Sequence, residues 1–184
     1  MNKILLPFLI AILMSACGYD NEPIIRQIPL PVNRKIEKKT TMKDTNTATL
    51  DLPSTTKALV LRTDFSSDAT WDKVCNMISL SGKNLGFSAA VEYINQKEFD
   101  NLKLEKLYPR NENYKCWYLF IVDSVTIGHE DHPILCVDLT TQEDNTFRLI
   151  PQEMWAVDNN LAISNMDFWE FQDEVDSEGI FRGV

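Results

Sequence analysis

Three aspartates, Asp64, Asp123 and Asp138, each follow an apolar run that is typical of a β-strand. If the three strands are parallel, their carboxyl ends share one edge of a sheet and the carboxylates converge in one crevice. Carboxylate oxygens in such a crevice are the ligands that Mg²⁺ and Ca²⁺ prefer. Aspartate is also common after strands because its side chain accepts hydrogen bonds from nearby backbone amides. We favour this structural interpretation and predict no metal; antiparallel strands at Asp123 and Asp138 would exclude the metal site.

Histidines and cysteines are the other groups that could carry chemistry. His129 and His132 are spaced for a transition metal, but they lie in a predicted loop without a third ligand fixed by spacing. Cys75 and Cys136 are predicted to be small core residues, and a Cys116–Cys136 disulfide across neighbouring strands is an alternative. The sequence contains no Gly-x-Ser-x-Gly elbow and no glycine-rich phosphate loop. We therefore predict no cofactor and favour a non-catalytic protein.

Polar residues interrupt an apolar stretch in the C-terminal third of the chain. Buried amides and an arginine in such a setting usually satisfy backbone groups at helix ends. We therefore favour a role in specifying the fold over a role in a ligand pocket. The residues are Asn159, Asn160, Asn165 and Asp167, together with Arg182 beyond the last predicted helix.

Strands and helices alternate along the part of the chain that positions these residues. Apolar runs predict five strands, at residues 57–63, 87–94, 117–122, 134–139 and 146–150, with the last two as a hairpin. Capping signals and apolar periodicity predict three helices. The first helix begins near residue 68, after the first strand. The second extends from Pro151 to a break at Asn159, and the third extends from Asp167 to Gly179. This order predicts an α/β domain with a mixed sheet of about five strands, with an α+β arrangement as the alternative.

The first 16 residues resemble the signal peptide of a bacterial lipoprotein. Lys3 precedes an apolar run of eleven residues, Ile4–Met14, whereas a helix needs roughly 20 residues to span a bilayer. The segment from Met14 to Cys17 resembles a lipobox, which implies a lipid anchor on Cys17. An ordinary secretory signal peptide is the alternative. Because Gly18 replaces the aspartate of inner-membrane retention signals, we expect a location in the cell envelope, at the outer membrane facing the periplasm.

The composition changes twice after the signal peptide. Residues 17–56 contain four prolines, a basic run and no regular apolar period, which predicts a disordered tether. Residues 57–184 have the size of a single domain and contain 11 basic and 22 acidic residues, a net formal charge of −11. Binding to nucleic acid requires clustered basic side chains, so nucleic acid is excluded as a partner. The acidic surface suits a basic protein partner instead.

Three segments of residues 57–184 together resemble an uncharacterised bacterial domain family. They are LVLRTDFSSDATWDKVC (Leu59–Cys75), FRLIPQEMWAVDNNLAISNMDFWEFQDEVD (Phe147–Asp176) and GIFRG (Gly179–Gly183). The resemblance depends on Arg-Thr-Asp-Phe after the first strand, Asn-Asn-Leu followed by Asn-Met-Asp-Phe, and a terminal Phe-Arg-Gly. It implies no activity, but it implies a domain boundary at residue 57 and a structural or functional importance for seven residues. They are Arg62, Asp64, Asn159, Asn160, Asn165, Asp167 and Arg182.

These observations leave two classes of function. The first, which we favour, is a lipid-anchored envelope protein whose acidic domain binds a protein partner, as immunity proteins neutralise basic toxins. The second is a metal-assisted hydrolase or a small-ligand-binding domain that uses Asp64, Asp123 and Asp138 with Arg62. Diverging aspartates and an exposed apolar patch with an acidic rim favour the first class. Parallel strands with converging aspartates favour the second class.

Overall fold

The computed structural model describes residues 51–108, 113–141 and 145–183. The predicted signal peptide, Cys17 and the tether as far as residue 50 lie outside the described residues. Every described residue belongs to one compact unit, which lies within Lys43–Val184.

Six strands form one mixed β-sheet. They are β1 (Ala58–Arg62), β2 (Val91–Ile94), β3 (Tyr118–Val122), β4 (Ile134–Asp138), β5 (Thr146–Leu149) and β6 (Ile180–Phe181). Their order across the sheet is β2-β1-β3-β4-β5-β6. β1 is parallel to β2 and β3, β4 is antiparallel to β3 and β5, and β6 is parallel to β5. The predicted α/β class, the mixed sheet and the antiparallel pairing of β4 with β5 are therefore confirmed.

The sheet has one strand more than the predicted number of about five. β6 contains two residues, which is too short for an alternating apolar pattern to reveal it. Tertiary pairing defines this strand, with Ile180 opposite Arg148 of β5. The Asp176 side chain accepts hydrogen bonds from the amides of Glu178 and Ile180 and so forms the turn that precedes β6.

Four α-helices flank the strands. They are α1 (Asp68–Leu80), α2 (Ser124–Gly128), α3 (Met154–Ala162) and α4 (Phe168–Asp173). α1 begins where predicted because the Ser67 side chain accepts a hydrogen bond from the Thr70 amide as the N-cap. α2 was not predicted, since five residues are too few to show a helical period. No helix in the described part of the chain is both long enough and apolar enough to cross a membrane.

Two helix boundaries differ from the prediction. α3 continues through Asn159 and Asn160, because the Asn160 side chain donates to the Ala156 carbonyl within the helix and so does not end it. α4 ends at Asp173, whereas Gly179 has a φ of +76° and lies in the turn before β6. The chain after α4 is acidic, and carboxylates at a helix C-terminus are unfavourable to the helix dipole.

One face of the sheet packs against α1, α3 and α4. Alternate residues of the central strands, including Phe120 and Phe147, point to this face. Phe147 stacks on Phe171 of α4 with ring centroids 5.6 Å apart. On the same face, Trp71 of α1 contacts Tyr93 of β2 edge-on at 6.3 Å. These aromatic contacts fix the positions of the helices that carry the candidate residues.

The long connection from β2 to β3 covers the other face. The chain moves in one direction across the sheet from β1 to β2 and in the opposite direction from β2 to β3. Because both crossovers are right-handed, the two connections lie on opposite faces of the sheet. The connection places Phe99, Leu107 and Tyr114 in the core, where the Tyr114 hydroxyl accepts a hydrogen bond from the Leu59 amide. The change of direction makes the carboxyl ends of β1 and β3 the topological switch point, where open α/β sheets bind ligands.

Candidate functional site

The three strand-end aspartates do not converge. β3 and β4 are antiparallel, with Tyr118 opposite Asp138, so Asp138 lies at the opposite edge of the sheet from Asp123. The interpretation that required all three carboxylates in one metal site is wrong for this reason. Within residues 51–108, 113–141 and 145–183, no group of three or more His, Cys, Asp or Glu side chains could hold a metal ion.

Asp123 makes structural contacts at the end of β3. Its side chain caps α2 by accepting a hydrogen bond from the Thr126 amide at 3.0 Å. It also forms a two-pronged ion pair with Arg148, with Nη2 2.6 Å from Oδ2 and Nη1 3.2 Å from Oδ1. Burial disfavours the carboxylate, but the hydrogen bonds from Arg148 and Thr126 outweigh burial and hold the pKa of Asp123 below its ordinary value. Asp123 is therefore ionised and already paired.

Asp64 and Asp138 organise local turns. Asp64 accepts a hydrogen bond from the Ser66 amide at 2.7 Å. Asp138 is 5% exposed and accepts hydrogen bonds from the amide and hydroxyl of Thr140 and from the side-chain amide of Asn145. Both sets of contacts agree with the structural interpretation, in which an aspartate after a strand accepts hydrogen bonds from nearby groups of the following turn.

Arg62 is the one charged residue of the predicted set that is fully buried, since 2% of its surface is exposed. Its Nε donates to the Asp64 carbonyl at 3.0 Å, and its Nη1 donates to Asn95 Oδ1 at 3.3 Å. Its Nη2 lies 2.8 Å from Asp68 Oδ1 and forms an ion pair with it. The carboxylate lies off the direction of the N–H bonds, so Nη2 makes no hydrogen bond. Arg62 thus joins the ends of β1 and β2 to the start of α1.

Phe65 contacts two cations beside this junction. The Arg62 guanidinium carbon lies 4.4 Å from the Phe65 ring centroid, and Lys97 Nζ lies 4.3 Å from the same centroid. The Arg62 guanidinium also lies 5.6 Å from the ring of Trp71. Cation–π attraction to these rings offsets part of the cost of burying the guanidinium.

The predicted asparagines and Asp167 lie where α3 meets α4. The Asn165 side-chain amide donates to Asn160 Oδ1 at 2.6 Å, and its backbone amide donates to the Asn160 carbonyl at 2.9 Å. Asp167 is the N-cap of α4 and forms a capping box with Glu170. Asn159 is exposed, and its carbonyl accepts an amide hydrogen bond at the end of α3. These contacts connect the two helices.

Arg182 contacts three carboxylates near the C-terminus. Its Nε donates to Asp176 at 2.5 Å, its Nη1 to Asp131 at 2.8 Å and its Nη2 to Glu178 at 2.9 Å. Hydrogen bonds to Asp176 and Asp131 raise the pKa of Arg182, so the guanidinium stays charged. The seven residues of the predicted set therefore belong to three contact networks, around Arg62, at the α3–α4 junction and around Arg182.

Both ring nitrogens of His132 have protein partners. Nδ1 lies 2.9 Å from the Thr126 carbonyl oxygen, and Nε2 lies 2.9 Å from Lys73 Nζ. His129 Nδ1 accepts a hydrogen bond from the Asp131 amide. The two histidines therefore make separate structural contacts.

A buried carboxylate, Asp158, is a site residue that was not predicted from the sequence. It is 3% exposed, and it accepts hydrogen bonds from the Tyr118 hydroxyl at 2.8 Å and the Ala90 amide at 2.7 Å. Burial raises the pKa of Asp158 above its ordinary value. Its spacing from Met154 and Leu161 places it on the apolar stripe of α3, and this spacing is the signal that could have identified it.

The aromatic residue Trp169 projects into solvent from α4. It is 58% exposed, and its Nε1 donates to Asp167 Oδ2 at 3.3 Å. Ile163, at the end of α3, is 66% exposed. Neither residue was predicted from the sequence. Trp169 falls outside the spacing of Phe168 and Phe171, the buried stripe of α4, and this offset predicts an exposed position.

Carboxylates surround Trp169 in the sequence and on the helix. Residues 149–181 contain eight acidic residues and no Lys, Arg or His. Asp173 lies one helical turn after Trp169, and Asp173 and Glu174 are both exposed. The ion pairs among the described residues include neither of them. We call this surface the α4 acidic face, and it consists of Asp167, Trp169, Asp173 and the C-cap residue Glu174.

A second apolar surface lies at the end of α1. Leu80, Leu85 and Phe87 are 50%, 64% and 56% exposed. Phe87 stacks on Trp155 with ring centroids 5.1 Å apart and an interplanar angle of 6°. The residues Met77, Leu80, Ser81, Gly82, Asn84 and Gln152 line an open cavity of about 380 Å³ beside it. The lining residues are uncharged, which distinguishes this α1 apolar patch from the α4 acidic face.

The fold and these networks define an acidic α/β domain with a buried arginine at its switch point. The chain belongs to the family described as domain of unknown function (DUF6924), whose model matches residues 57–184. The resemblance to an uncharacterised domain family is thereby confirmed. No curated protein matches this chain in sequence.

Solved structures with some similarity include prolyl-tRNA synthetase from Cryptosporidium parvum. Its complex with halofuginone and AMPPNP has a TM-score of 0.40 and 15% identity, over 65% of this chain and 24% of that chain. Its complex with L-proline and AMP has a TM-score of 0.39 and 17% identity, over 68% of this chain and 26% of that chain. This chain therefore spans about a quarter of the length of the synthetase chains.

Proposed function

We propose that this protein is a non-catalytic binding module whose α4 acidic face binds a basic protein partner in the cell envelope. A lipid on Cys17 would hold the domain at the outer membrane, facing the periplasm. The observation that carries the proposal is Trp169, which is 58% exposed among carboxylates of α4. The partner would be neutralised or recruited by contact, in the manner of immunity proteins.

An exposed tryptophan of this kind suits the centre of a protein interface. Tryptophan buries a large area with few rotatable bonds, and it is enriched among residues that dominate binding energy. The hydrogen bond from Trp169 Nε1 to Asp167 restrains the indole before a partner arrives. A restrained side chain loses less conformational entropy on binding, which favours affinity.

Charge gives the proposed interface its preference for a basic partner. Asp173 lies one helical turn after Trp169 on α4 and Glu174 is the C-cap of that helix, and neither forms an ion pair in the described structure. A partner with Lys or Arg at matching positions gains ion pairs, and long-range attraction to a domain of net charge −11 accelerates its association. Diverging strand-end aspartates and an exposed apolar patch with an acidic rim were the features expected for this class of function, and of these the divergence of Asp123 and Asp138 supports the proposal.

Capture from envelope extracts of the source organism tests the binding module. Full-length wild-type protein is the bait, with Trp169→Ala as the test variant and Leu85→Ala as the control from the α1 apolar patch. We expect one stoichiometric basic protein that Leu85→Ala retains and Trp169→Ala loses. Retention by Trp169→Ala, or capture of no protein by the wild type, would contradict the proposal.

Labelling with radioactive palmitate in the source organism tests the anchor. Wild-type protein and Cys75→Ser should incorporate the label, because Cys75 is half-buried within α1. Cys17→Ser should incorporate none. Equal labelling of wild type and Cys17→Ser would refute the lipid anchor without affecting the proposal on the acidic face.

A further inference from the structure

We propose that Arg62 forms the base of a binding site for a small oxyanion, a carboxylate or a phosphate, and that the Asp68 carboxylate occupies this site in the free protein. The site lies at the carboxyl end of β1, next to the start of α1, where Arg62 reaches Asn95 beyond the end of β2. It is separate from the α4 acidic face, and the proposal does not depend on the proposed protein partner.

The first support is the incomplete pairing of a buried cation. Arg62 is 2% exposed, and two of its three nitrogens have well-formed hydrogen bonds, to the Asp64 carbonyl and to Asn95. The third nitrogen, Nη2, is buried and makes no hydrogen bond. It has an ion pair with Asp68 at 2.8 Å, with the carboxylate off the hydrogen-bonding direction. An oxyanion that is free to orient can make the hydrogen bond that Asp68 does not make.

The second support is the mobility expected of Asp68. Its side chain is 87% exposed, so it is held in place by little besides the ion pair with Arg62. An exposed carboxylate costs side-chain entropy to restrain and is screened by solvent and salt. A competing anion can therefore displace Asp68 into water while Arg62 remains fixed by Asp64, Asn95 and the rings of Phe65 and Trp71.

The third support is the position of the site in the fold. Open α/β sheets bind ligands at the carboxyl ends of their parallel strands, and the amino end of the following helix favours anions. α1 has 13 residues and begins at Asp68, beside Arg62. Lys97, which follows β2 in the chain, contacts the Phe65 ring and is a second cation near the site. Its Nζ also forms an ion pair with Asp100 at 3.1 Å. The other acid at the site, Asp64, is engaged by the Ser66 amide.

The size of the group that fills the site limits the ligand. In the free protein the Asp68 carboxylate lies 2.8 Å from Nη2, so a single carboxylate or phosphate group of a small molecule would take its place. A bulky polyanion does not match one buried nitrogen and would be repelled by the neighbouring Asp64 and Asp100. We therefore infer a small monoanionic or dianionic ligand.

Asp68→Asn is the variant that tests the proposal, because it removes the competing carboxylate and leaves Arg62 intact. The matched control is Asp72→Asn, which makes the same change of charge one turn later on the exposed side of α1. Full-length protein in mild detergent is titrated with sodium phosphate and, separately, with sodium acetate at constant ionic strength. The Arg62 Nε–H signal is followed by ¹H–¹⁵N NMR.

We expect Asp68→Asn to bind at least one of the two anions about tenfold or more tightly than wild type, and Asp72→Asn to match wild type. The arm with the larger gain identifies the ligand as a phosphate or a carboxylate. Asn95→Asp, which places a carboxylate on Nη1, should weaken binding in the Asp68→Asn background. Equal affinities for Asp68→Asn and Asp72→Asn, or an Arg62 signal that neither anion shifts, would overturn the proposal.

Discussion

Arg148 of β5 reaches past β4 to form an ion pair with Asp123 at the end of β3. Its Nη1 also donates to the Pro133 carbonyl, just before β4, at 3.0 Å. The two side chains are 20% and 24% exposed, so the pair is largely shielded from solvent. A single guanidinium therefore connects three neighbouring strands at the edge of the sheet that contains the switch point.

Asp123→Asn should destabilise the protein by about 2 kcal/mol at pH 7, because it leaves Arg148 with an unpaired charge. The pKa of Asp123 is lowered in the folded state. Its stabilisation is therefore present above the ordinary aspartate pKa and is lost as the pH falls through the folded-state pKa. Urea unfolding at pH 7 and at pH 3 should show a smaller difference between variant and wild type at pH 3. Asp64→Asn, which removes no ion pair, is the control, and equal losses in both variants would contradict the assignment.

Tyr118→Phe should destabilise the protein by about 2 kcal/mol at pH 7, since it removes one of the two donors to the buried Asp158 carboxylate. Burial raises the pKa of Asp158, so the folded state binds this proton more tightly than the unfolded state does. The resulting gain in the free energy of unfolding is lost as the pH rises through the folded-state pKa. Loss of the hydroxyl donor raises that pKa further, so the variant's deficit should grow from pH 4 to pH 7. Tyr93→Phe, at a 38% exposed tyrosine, is the control for loss of a hydroxyl. A deficit that does not change with pH would count against an ionised Asp158.

Gly82→Ala should cost about 3 kcal/mol, more than Gly86→Ala. Both glycines have positive φ angles, +68° and +78°, so both alanines would carry backbone strain of about 1 kcal/mol. A Cβ at residue 82 would also lie 2.5 Å from Trp155 Cγ, whereas a Cβ at residue 86 meets no atom within 4 Å. Thermal unfolding of the two variants separates the strain from the clash. Equal costs would mean that Trp155 does not pack against Gly82 in solution.

Cys75, Cys116 and Cys136 should be unreactive in the native protein at pH 8. All three are free thiols, so the alternative of a Cys116–Cys136 disulfide is wrong for this structure; Cys136 lies opposite Phe120. Burial raises the pKa of Cys75 to about 12 and raises the pKa of Cys116 and Cys136 above its ordinary value, which suppresses the reactive thiolate. In Cys17→Ser protein, reaction with a thiol reagent should be at least about a hundredfold slower before unfolding than in urea. Rapid labelling of one thiol in the folded protein would contradict this.

Association of the proposed partner should depend on salt through Asp173 and Glu174. The double variant Asp173→Asn, Glu174→Gln should lower the association rate about threefold or more at low ionic strength, with little effect at high salt. Stopped-flow measurements across ionic strengths check this. A matched double variant on another exposed surface, Glu98→Gln with Glu105→Gln, should leave the rate close to that of wild type. Equal slowing in both double variants would indicate that net charge, and not the α4 acidic face, steers association.

Local patterns in the sequence were sufficient to predict most of the fold. The N-cap at Ser67 and the apolar spacing from Trp71 to Ile78 act within one helix, so they can be read without the tertiary structure. β3 and β4 are almost continuously apolar, as expected for strands buried on both faces. The same local signals could not give the direction of β4, and that direction decided that Asp123 and Asp138 lie at opposite edges.

The features missed in the sequence depend on long-range contacts. β6 exists because it pairs with β5, and α4 stops early because Asp176 forms a turn with residues beyond it. Arg62 was predicted to matter, but its burial against Phe65 and Trp71 requires the loop after β1 to fold back over the strand end. The offset of Trp169 from the buried stripe of α4 was visible in the sequence, although its environment of unpaired carboxylates required the fold.

The affinity of the captured partner for Trp169→Ala and for Leu85→Ala is the most direct test of the proposed function. Isothermal titration calorimetry with full-length proteins should show a Kd about 30-fold or more above that of wild type for Trp169→Ala, which corresponds to roughly 2 kcal/mol for loss of a central tryptophan. Leu85→Ala should bind as wild type does. A loss of affinity in Leu85→Ala with unchanged binding by Trp169→Ala would place the interface on the α1 apolar patch and contradict the proposal.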